Sequence, residues 1–161
     1  MRTSTIGLGV SIAVAMLQSA PALADWHYAK WGMTAAQIIA ASGGEARALQ
    51  KEDDIGCTFK GQEVIAVAPN KAIAGATFDV SFCTTNSNGR LTSVSLHSTG
   101  TGIKGAQLKD ALISQYGRPV SDDRGIAIWN DKKSANTITF IDMGFGNLTR
   151  IEYKQLGNTG L

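Results

Sequence analysis

The segment GAQLKDALISQYGRP, residues 105–119, constrains the fold most, because it is the clearest helix in the chain and has strand-like runs on both sides. Leu108 and Leu112 lie at helical spacing and give the segment one apolar face. Gly117 follows where a helix commonly takes a left-handed residue, and Pro119 then prevents its continuation. The sequence therefore predicts a helix that ends just before Gly117, between two β-rich halves.

A second helix is predicted near the start of the first half. Thr34 is a good N-cap residue, and Gln37 stands three positions later, as in a capping box. We therefore expect the helix to begin at Ala35 and to stop at the Gly43-Gly44 pair. A short further helical piece is expected over residues 45–50.

The rest of the first half shows alternation of apolar and polar residues, which is typical of strands with one buried face. The clearest run places Phe78, Val80 and Phe82 on one side of a strand. The predicted strands are Ile55–Lys60, Glu63–Ala68, Ala76–Cys83 and Leu91–Ser98. Asn88-Gly89 is a strong turn signal between the last two.

Three more strands are predicted after the central helix, at Ile126–Asn130, Asn136–Asp142 and Leu148–Lys154. Their expected inward residues are Ile126, Ile128, Ile138, Phe140, Ile151 and Tyr153. The outward set is unusually apolar, because Trp129, Ile141 and Leu148 would lie beside Arg150. An exposed apolar patch next to an arginine has the composition of a binding hot spot, so these four residues form the predicted protein-binding site. A register shifted by one residue would instead turn Trp129 into the core.

These elements predict an α+β fold, in which two helix-plus-β-meander units form one antiparallel sheet with the helices packed on one face. The two units would span about residues 31–98 and 104–154, within a single domain over residues 25–161. Residues 156–161 carry little apolar content, and we expect them to form a flexible tail.

The first 24 residues have the pattern of a cleaved signal peptide. Arg2 precedes an apolar run from Ile6 to Leu17, and Ala22-Leu23-Ala24 offers an A-x-A cleavage site. A run of about twelve residues is too short to cross the roughly 30 Å hydrocarbon core of a bilayer, so we expect no membrane span. The sequence therefore predicts a periplasmic or secreted protein.

Charge excludes one class of partner. The chain carries 15 basic and 13 acidic side chains, and its basic residues are scattered, with no run longer than Lys132-Lys133. A nucleic-acid binder would need a basic stripe, so nucleic-acid binding is not expected. The expected partner is a protein or envelope component of unknown identity, the chain is expected to be a monomer, and no cofactor is expected.

The chain has two cysteines, Cys57 and Cys83. In an oxidising compartment such a pair usually forms a disulfide, and we prefer this to two free thiols. The spacing excludes a C-x-x-C redox motif, and two histidines hardly supply the further ligands of a zinc site, so no metal is expected.

The opening Trp31-Gly32-Met33-Thr34 resembles the G-M-T opening of small exported helix-sheet domains, which include the beta-lactamase inhibitor protein (BLIP) family and envelope lipoproteins of the SmpA/OmlA type. The Tyr116-Gly117-Arg118-Pro119 turn is similar to one in uncharacterised periplasmic proteins. The second half opens instead with Gly102-Ile103-Lys104 and has no cysteine, so the resemblance implies the architecture and not beta-lactamase inhibition. It implies a noncatalytic domain whose curved sheet binds a protein partner.

Two patterns suggest other chemistry. Gly100 to Gly105 is a literal G-x-G-x-x-G, but the segment after the helix does not look like the buried parallel strand that a dinucleotide fold requires. The predicted outward face of the first meander carries the residue types of a nucleophilic triad, on Asp79, Ser81, Ser93, Ser95 and His97. Polar residues on a solvated face explain the same pattern, and an open sheet face offers no preorganised oxyanion donors.

The leading hypothesis is therefore an exported noncatalytic binding module that presents its outer sheet face to a protein, with no catalytic residues. The first alternative is a small serine hydrolase using Ser95 or Ser93 with His97. The second is a carrier of a small apolar ligand, for which a cavity between helices and sheet would be the discriminating feature.

Overall fold

The computed structural model describes residues 25–73, 75–85, 87–99, 105–144 and 149–157. Four predictions lie wholly or partly outside these residues. They are the signal peptide, the glycine-rich stretch up to residue 104, the placement of Leu148, and residues 158–161 of the tail.

Two helices and nine strands follow one another along the described residues. In chain order they are β1 Asp25–Trp26, β2 Ala29–Lys30, α1 Ala35–Ala41, β3 Glu63–Ile73, β4 Ala76–Thr84, β5 Ser93–Ser98, α2 Gly105–Tyr116, β6 Ser121–Asp123, β7 Ile126–Asp131, β8 Asn136–Asp142 and β9 Thr149–Gln155. β1 and β2 form a small hairpin, and the other seven strands form one antiparallel sheet in the order β3-β4-β5-β9-β8-β7-β6. The predicted α+β class with an antiparallel sheet is confirmed.

The start of α1 follows from its capping residues, as predicted. The Thr34 side chain accepts a hydrogen bond from the Gln37 amide at 3.4 Å, and the Thr34 amide donates to Gln37 Oε1 at 2.9 Å. The helix ends at Ala41, just before the glycine pair. The predicted helical piece over residues 45–50 is wrong, because Arg47 exchanges backbone hydrogen bonds with Val67 instead.

The central helix α2 is also confirmed. Its apolar face buries Leu108 and Leu112, and Gly117 takes a left-handed φ of 80° at its end. The Gly117 amide still donates to the Ile113 carbonyl at 2.8 Å, which satisfies one of the last carbonyls of the helix. Lys109 on the first half of the helix forms an ion pair with Asp122 of β6 at 2.7 Å.

The sheet has a helix-side face, which builds the core, and an outer face. The register places on the helix-side face a continuous set of buried side chains, namely Phe78, Val80, Phe82, Val94, Leu96, Ile138, Phe140 and Ile151. The helices add Ile38, Leu108 and Leu112 to the same core. The inward positions predicted for β4, β5, β8 and β9 are therefore correct.

Strand β7 has the opposite orientation to the predicted one. Trp129 pairs with the inward Ile138 and is only 1% exposed, so the prediction of an exposed Trp129 is wrong and the alternative register, which turns it into the core, is correct. Its indole Nε1 donates to the Gly117 carbonyl at 2.8 Å, which ties β7 to the end of α2. Ile126 and Ile128, predicted to point inward, lie on the outer face.

The first half contains one further correction. Residues 55–60 do not form a strand. Residues 56–62, the covering segment, instead cross the outer face of β4, β5 and β9. The contacts of Cys57 with Cys83, of Thr58 with Ser95, and of Gln62 with β5 and β9 establish this path.

Candidate functional site

The predicted polar set of the first half does share one face. Ser81 pairs with Ser95, and Asp79 pairs with His97, on neighbouring strands β4 and β5. The expectation of a solvated face is wrong, however, because Ser81, Ser93 and Ser95 are completely buried. The covering segment lies over them and excludes water.

Three kinds of contact hold the covering segment on the sheet. The predicted disulfide between Cys57 and Cys83 is confirmed, with an S–S distance of 2.09 Å. The amide of Thr58 donates to Ser95 Oγ at 3.1 Å. Gln62 Nε2 donates to Ser93 Oγ at 2.9 Å and to a carboxylate oxygen of β9 at 2.8 Å.

That carboxylate belongs to Glu152, which is 1% exposed. Burial raises its pKa, since a charged carboxylate loses hydration there, while the bond from Gln62 and the nearby Lys154 partly oppose the shift. Lys154 Nζ lies 3.2 Å from Glu152 Oε2 and 4.4 Å from the ring centre of Phe59 in the covering segment. The buried acid therefore has partners on both β9 and the covering segment.

Ser95 and His97 do not form a nucleophile and base. The Ser95 hydroxyl accepts from the amide of Thr58, and the imidazole of His97 donates to the Gly56 carbonyl. Within the described residues no hydrogen bond joins Ser95 to His97, and His97 Nε2 is buried without a partner. Because the serine is closed beneath a disulfide-linked segment, the geometry gives a substrate no approach to it.

Over the other half of the sheet, no described segment covers the outer face as residues 56–62 do over the first half. The register aligns Ile126 of β7 with Ile141 of β8 and with Arg150 of β9, and Ile128 lies one row away. Ile126 is 40% exposed, and the other two isoleucines are partly exposed. We call Ile126, Ile128 and Ile141 the isoleucine patch.

The predicted protein-binding residues are therefore only partly brought together. Ile141 and Arg150 are neighbours on the outer face, whereas Trp129 lies on the opposite, buried face and Leu148 lies outside the described residues. Ile126 and Ile128 take the place that was predicted for Trp129. Arg150 has no hydrogen bond or ion pair with any other residue that the structure describes, so its guanidinium is available.

A second candidate site lies on the helix side. A cavity of about 540 Å³ is present between the β1–β2 hairpin, the end of α2 and the β7–β8 turn, with Leu96 and Tyr153 in its lining. Most of the other lining side chains are polar or aromatic. This composition does not match the small apolar ligand that the carrier alternative requires.

No helix in the described part of the chain is both long enough and apolar enough to cross a membrane. The same residues contain no group of three or more histidine, cysteine, aspartate or glutamate side chains placed to hold a metal ion. Comparison of the chain with protein-family models, with curated proteins and with solved structures gave no match.

Proposed function

We propose that this chain is an exported noncatalytic binding module that contacts a protein partner in the bacterial periplasm through the outer face of β6 to β9. The observation that carries the proposal is the isoleucine patch, whose side chains are exposed or partly exposed and are not covered by any other segment that the structure describes. Over the other half of the same face, the chain supplies its own cover and fastens it with a disulfide.

Burial of the isoleucine patch against a partner would contribute to the free energy of binding. Complete burial of one isoleucine side chain contributes roughly 1.5–3 kcal/mol, and three adjacent, partly exposed ones would contribute a few kcal/mol together. A cluster of this kind, surrounded by polar residues such as Thr139, has the composition of an interface centre. The gain depends on a partner that brings apolar side chains of its own.

Arg150 defines the charge of that partner. Its guanidinium forms no ion pair with another described residue and lies in the same row as Ile141 and Ile126. An arginine at the edge of an apolar contact prefers a carboxylate, which it can bind through two hydrogen bonds. We therefore assign the patch to a protein surface that combines apolar side chains with an aspartate or glutamate.

Export is part of the same proposal. The signal-peptide pattern supports it, and the disulfide is compatible with an oxidising compartment. We also propose that the two halves are helix-plus-meander units. This agrees with the order of neighbouring strands, from β3 to β5 and from β6 to β9.

The proposal can be tested by site-specific photo-crosslinking in the organism that makes the protein. A photoreactive phenylalanine analogue is placed at Ile128 and, as a control, at Ser114, which is exposed on α2 on the other side of the sheet. We expect one protein to be linked at Ile128 and not at Ser114. Mass spectrometry identifies it, and the purified protein is then titrated with the wild-type chain.

The affinity of the purified partner is then compared between the wild-type chain and its variants. Ile141→Ala should weaken binding about tenfold, since it removes about 1.4 kcal/mol of apolar contact, and Arg150→Glu should weaken it further by placing two acids together. Ser114→Ala should leave the affinity unchanged. Equal crosslinking at both positions, crosslinks to lipid or to a second copy only, or an affinity insensitive to Arg150→Glu would each overturn the proposal.

A further inference from the structure

The helix-side cavity is a second site, independent of the isoleucine patch and on the opposite face of the sheet. Its volume of about 540 Å³ lies within the range of roughly 300–1,000 Å³ that is typical of small-molecule sites. Trp26 and His27 of the β1–β2 hairpin form one wall, and Gln115 and Tyr116 at the end of α2 form another.

The walls are held in place by contacts outside the cavity. Trp26 is 6% exposed and packs edge-on against Phe82 at 5.7 Å between ring centres. The Trp129 indole fixes the end of α2 through the Gly117 carbonyl. A site whose walls are already ordered loses little entropy when a ligand binds.

Tyr116 presents a hydrogen-bond donor. Its hydroxyl oxygen accepts from Gln115 Nε2 at 3.0 Å and is also hydrogen bonded to the Tyr153 hydroxyl. Burial raises the pKa of both Tyr116 and Tyr153, so both hydroxyls keep their hydrogens at neutral pH. A tyrosine hydroxyl that accepts one hydrogen bond can also donate one, so Tyr116 can offer its hydrogen to an acceptor on a ligand.

The β7–β8 turn presents both an acceptor and a further donor. Asp131 Oδ1 accepts from the Lys133 and Ser134 amides at 3.0 and 3.3 Å, whereas Oδ2 has no partner in the described residues. Asn136 Oδ1 accepts from the indole of Trp31 at 3.3 Å, and the Asn136 NH₂ group has no described partner. Acceptor and donor thus occur together at one end of the cavity.

We propose that this cavity binds a neutral saccharide. Sugar hydroxyls both donate and accept, as this mixed set of groups requires, and the C–H faces of a sugar ring pack well on aromatic side chains. The single anion Asp131 is accompanied by the single cation Lys133 in the lining, which favours an uncharged ligand. The small apolar part of the lining disfavours a fatty acid.

The test is a binding screen of the folded protein with named sugars. Saturation-transfer NMR and calorimetry are carried out with glucose, galactose, mannose, N-acetylglucosamine, maltose and cellobiose. Lauric acid and glucose 6-phosphate are the apolar and anionic comparisons. We expect at least one neutral sugar to bind with Kd below about 1 mM, and more tightly than either comparison compound.

Two conservative variants locate the site. Tyr116→Phe and Asp131→Asn should each weaken binding of that sugar about tenfold, as expected for one lost hydrogen bond. Their matched controls, Tyr28→Phe and Asp110→Asn, make the same chemical changes outside the cavity and should leave Kd unchanged. Circular dichroism checks that each variant is folded.

The proposal is overturned if no neutral sugar binds with Kd below about 1 mM, or if lauric acid or glucose 6-phosphate binds more tightly than every sugar. It is also overturned if the folded cavity variants bind as the wild type does. These results leave the protein partner at the isoleucine patch untouched, because that test uses the other face.

Discussion

Removal of the disulfide by Cys57→Ala together with Cys83→Ala should destabilise the protein strongly. The bond closes a loop with a sequence separation of 26 residues. The entropy that such a closure removes from the unfolded chain corresponds to about 3.5 kcal/mol at 25 °C. Cys83 is completely buried, so the loss of its sulfur adds a smaller packing penalty.

The free energy of unfolding is measured by urea denaturation of the wild type and the double variant. The control is the wild type in the presence of a thiol reductant, because the reductant breaks the same disulfide without a substitution. We expect both to lose about 3–4 kcal/mol. Hydrogen exchange at the Thr58 amide should also accelerate, because its bond to Ser95 holds the covering segment on the sheet.

A loss below about 1 kcal/mol, with slow exchange retained at Thr58, would refute this reasoning. It would mean that the hydrogen bonds of Gln62 and Thr58 hold the covering segment without help from the disulfide. A large loss of unfolding free energy without faster exchange at the Thr58 amide would show that the disulfide does not hold the covering segment on the sheet.

Three further substitutions test other parts of the structure, each by chemical denaturation. Trp129→Ala should destabilise by about 3–5 kcal/mol, as for a large core side chain; a loss under about 1 kcal/mol would show that Trp129 is exposed. Burial raises the pKa of Glu152 above its ordinary 4.5, so the folded protein binds this proton more tightly than the unfolded chain does. Wild type should therefore lose stability relative to Glu152→Gln as the pH rises above 4.5, and a difference independent of pH would contradict the shift. Arg124 has a φ of 48° in a turn before Gly125, so Arg124→Asn should stabilise by about 0.5 kcal/mol; destabilisation would exclude backbone strain there.

Local signals predicted most of the elements. The capping residues Thr34 and Gln37 placed the start of α1, and Gly117 with Pro119 placed the end of α2, because both depend on interactions within one turn of chain. Strand β8 was predicted with its observed bounds, Asn136–Asp142, from alternation alone. Short-range chemistry is sufficient in these places.

The orientation of β7 could not be predicted in the same way. Ile126 and Ile128 alternate with Ala127 and Trp129, so both faces of the strand are apolar and alternation does not decide between them. The decision comes from tertiary contacts: the large indole of Trp129 fills the space below α2 and reaches the Gly117 carbonyl. For this reason Trp129 is in the core and not on the outer face, where the protein-binding site was predicted.

The covering segment was missed for a related reason. A row of serines on β4 and β5 looks solvated in the sequence, and its burial depends on distant residues such as Gln62. The cysteine pair did contain the relevant signal, since a bond from Cys57 to the buried, outward-facing Cys83 requires the chain to return across that face.

The place of β9 in the strand order has a consequence for how the protein is made. This strand, Thr149–Gln155, lies in the middle of the sheet, where it pairs with β5 on one side and β8 on the other. It follows all the other described strands in the sequence, so a growing chain that has not yet reached residue 155 holds two separate three-stranded pieces with unpaired edges. Chains that stop before residue 149 should therefore aggregate rather than fold into a smaller version of the domain.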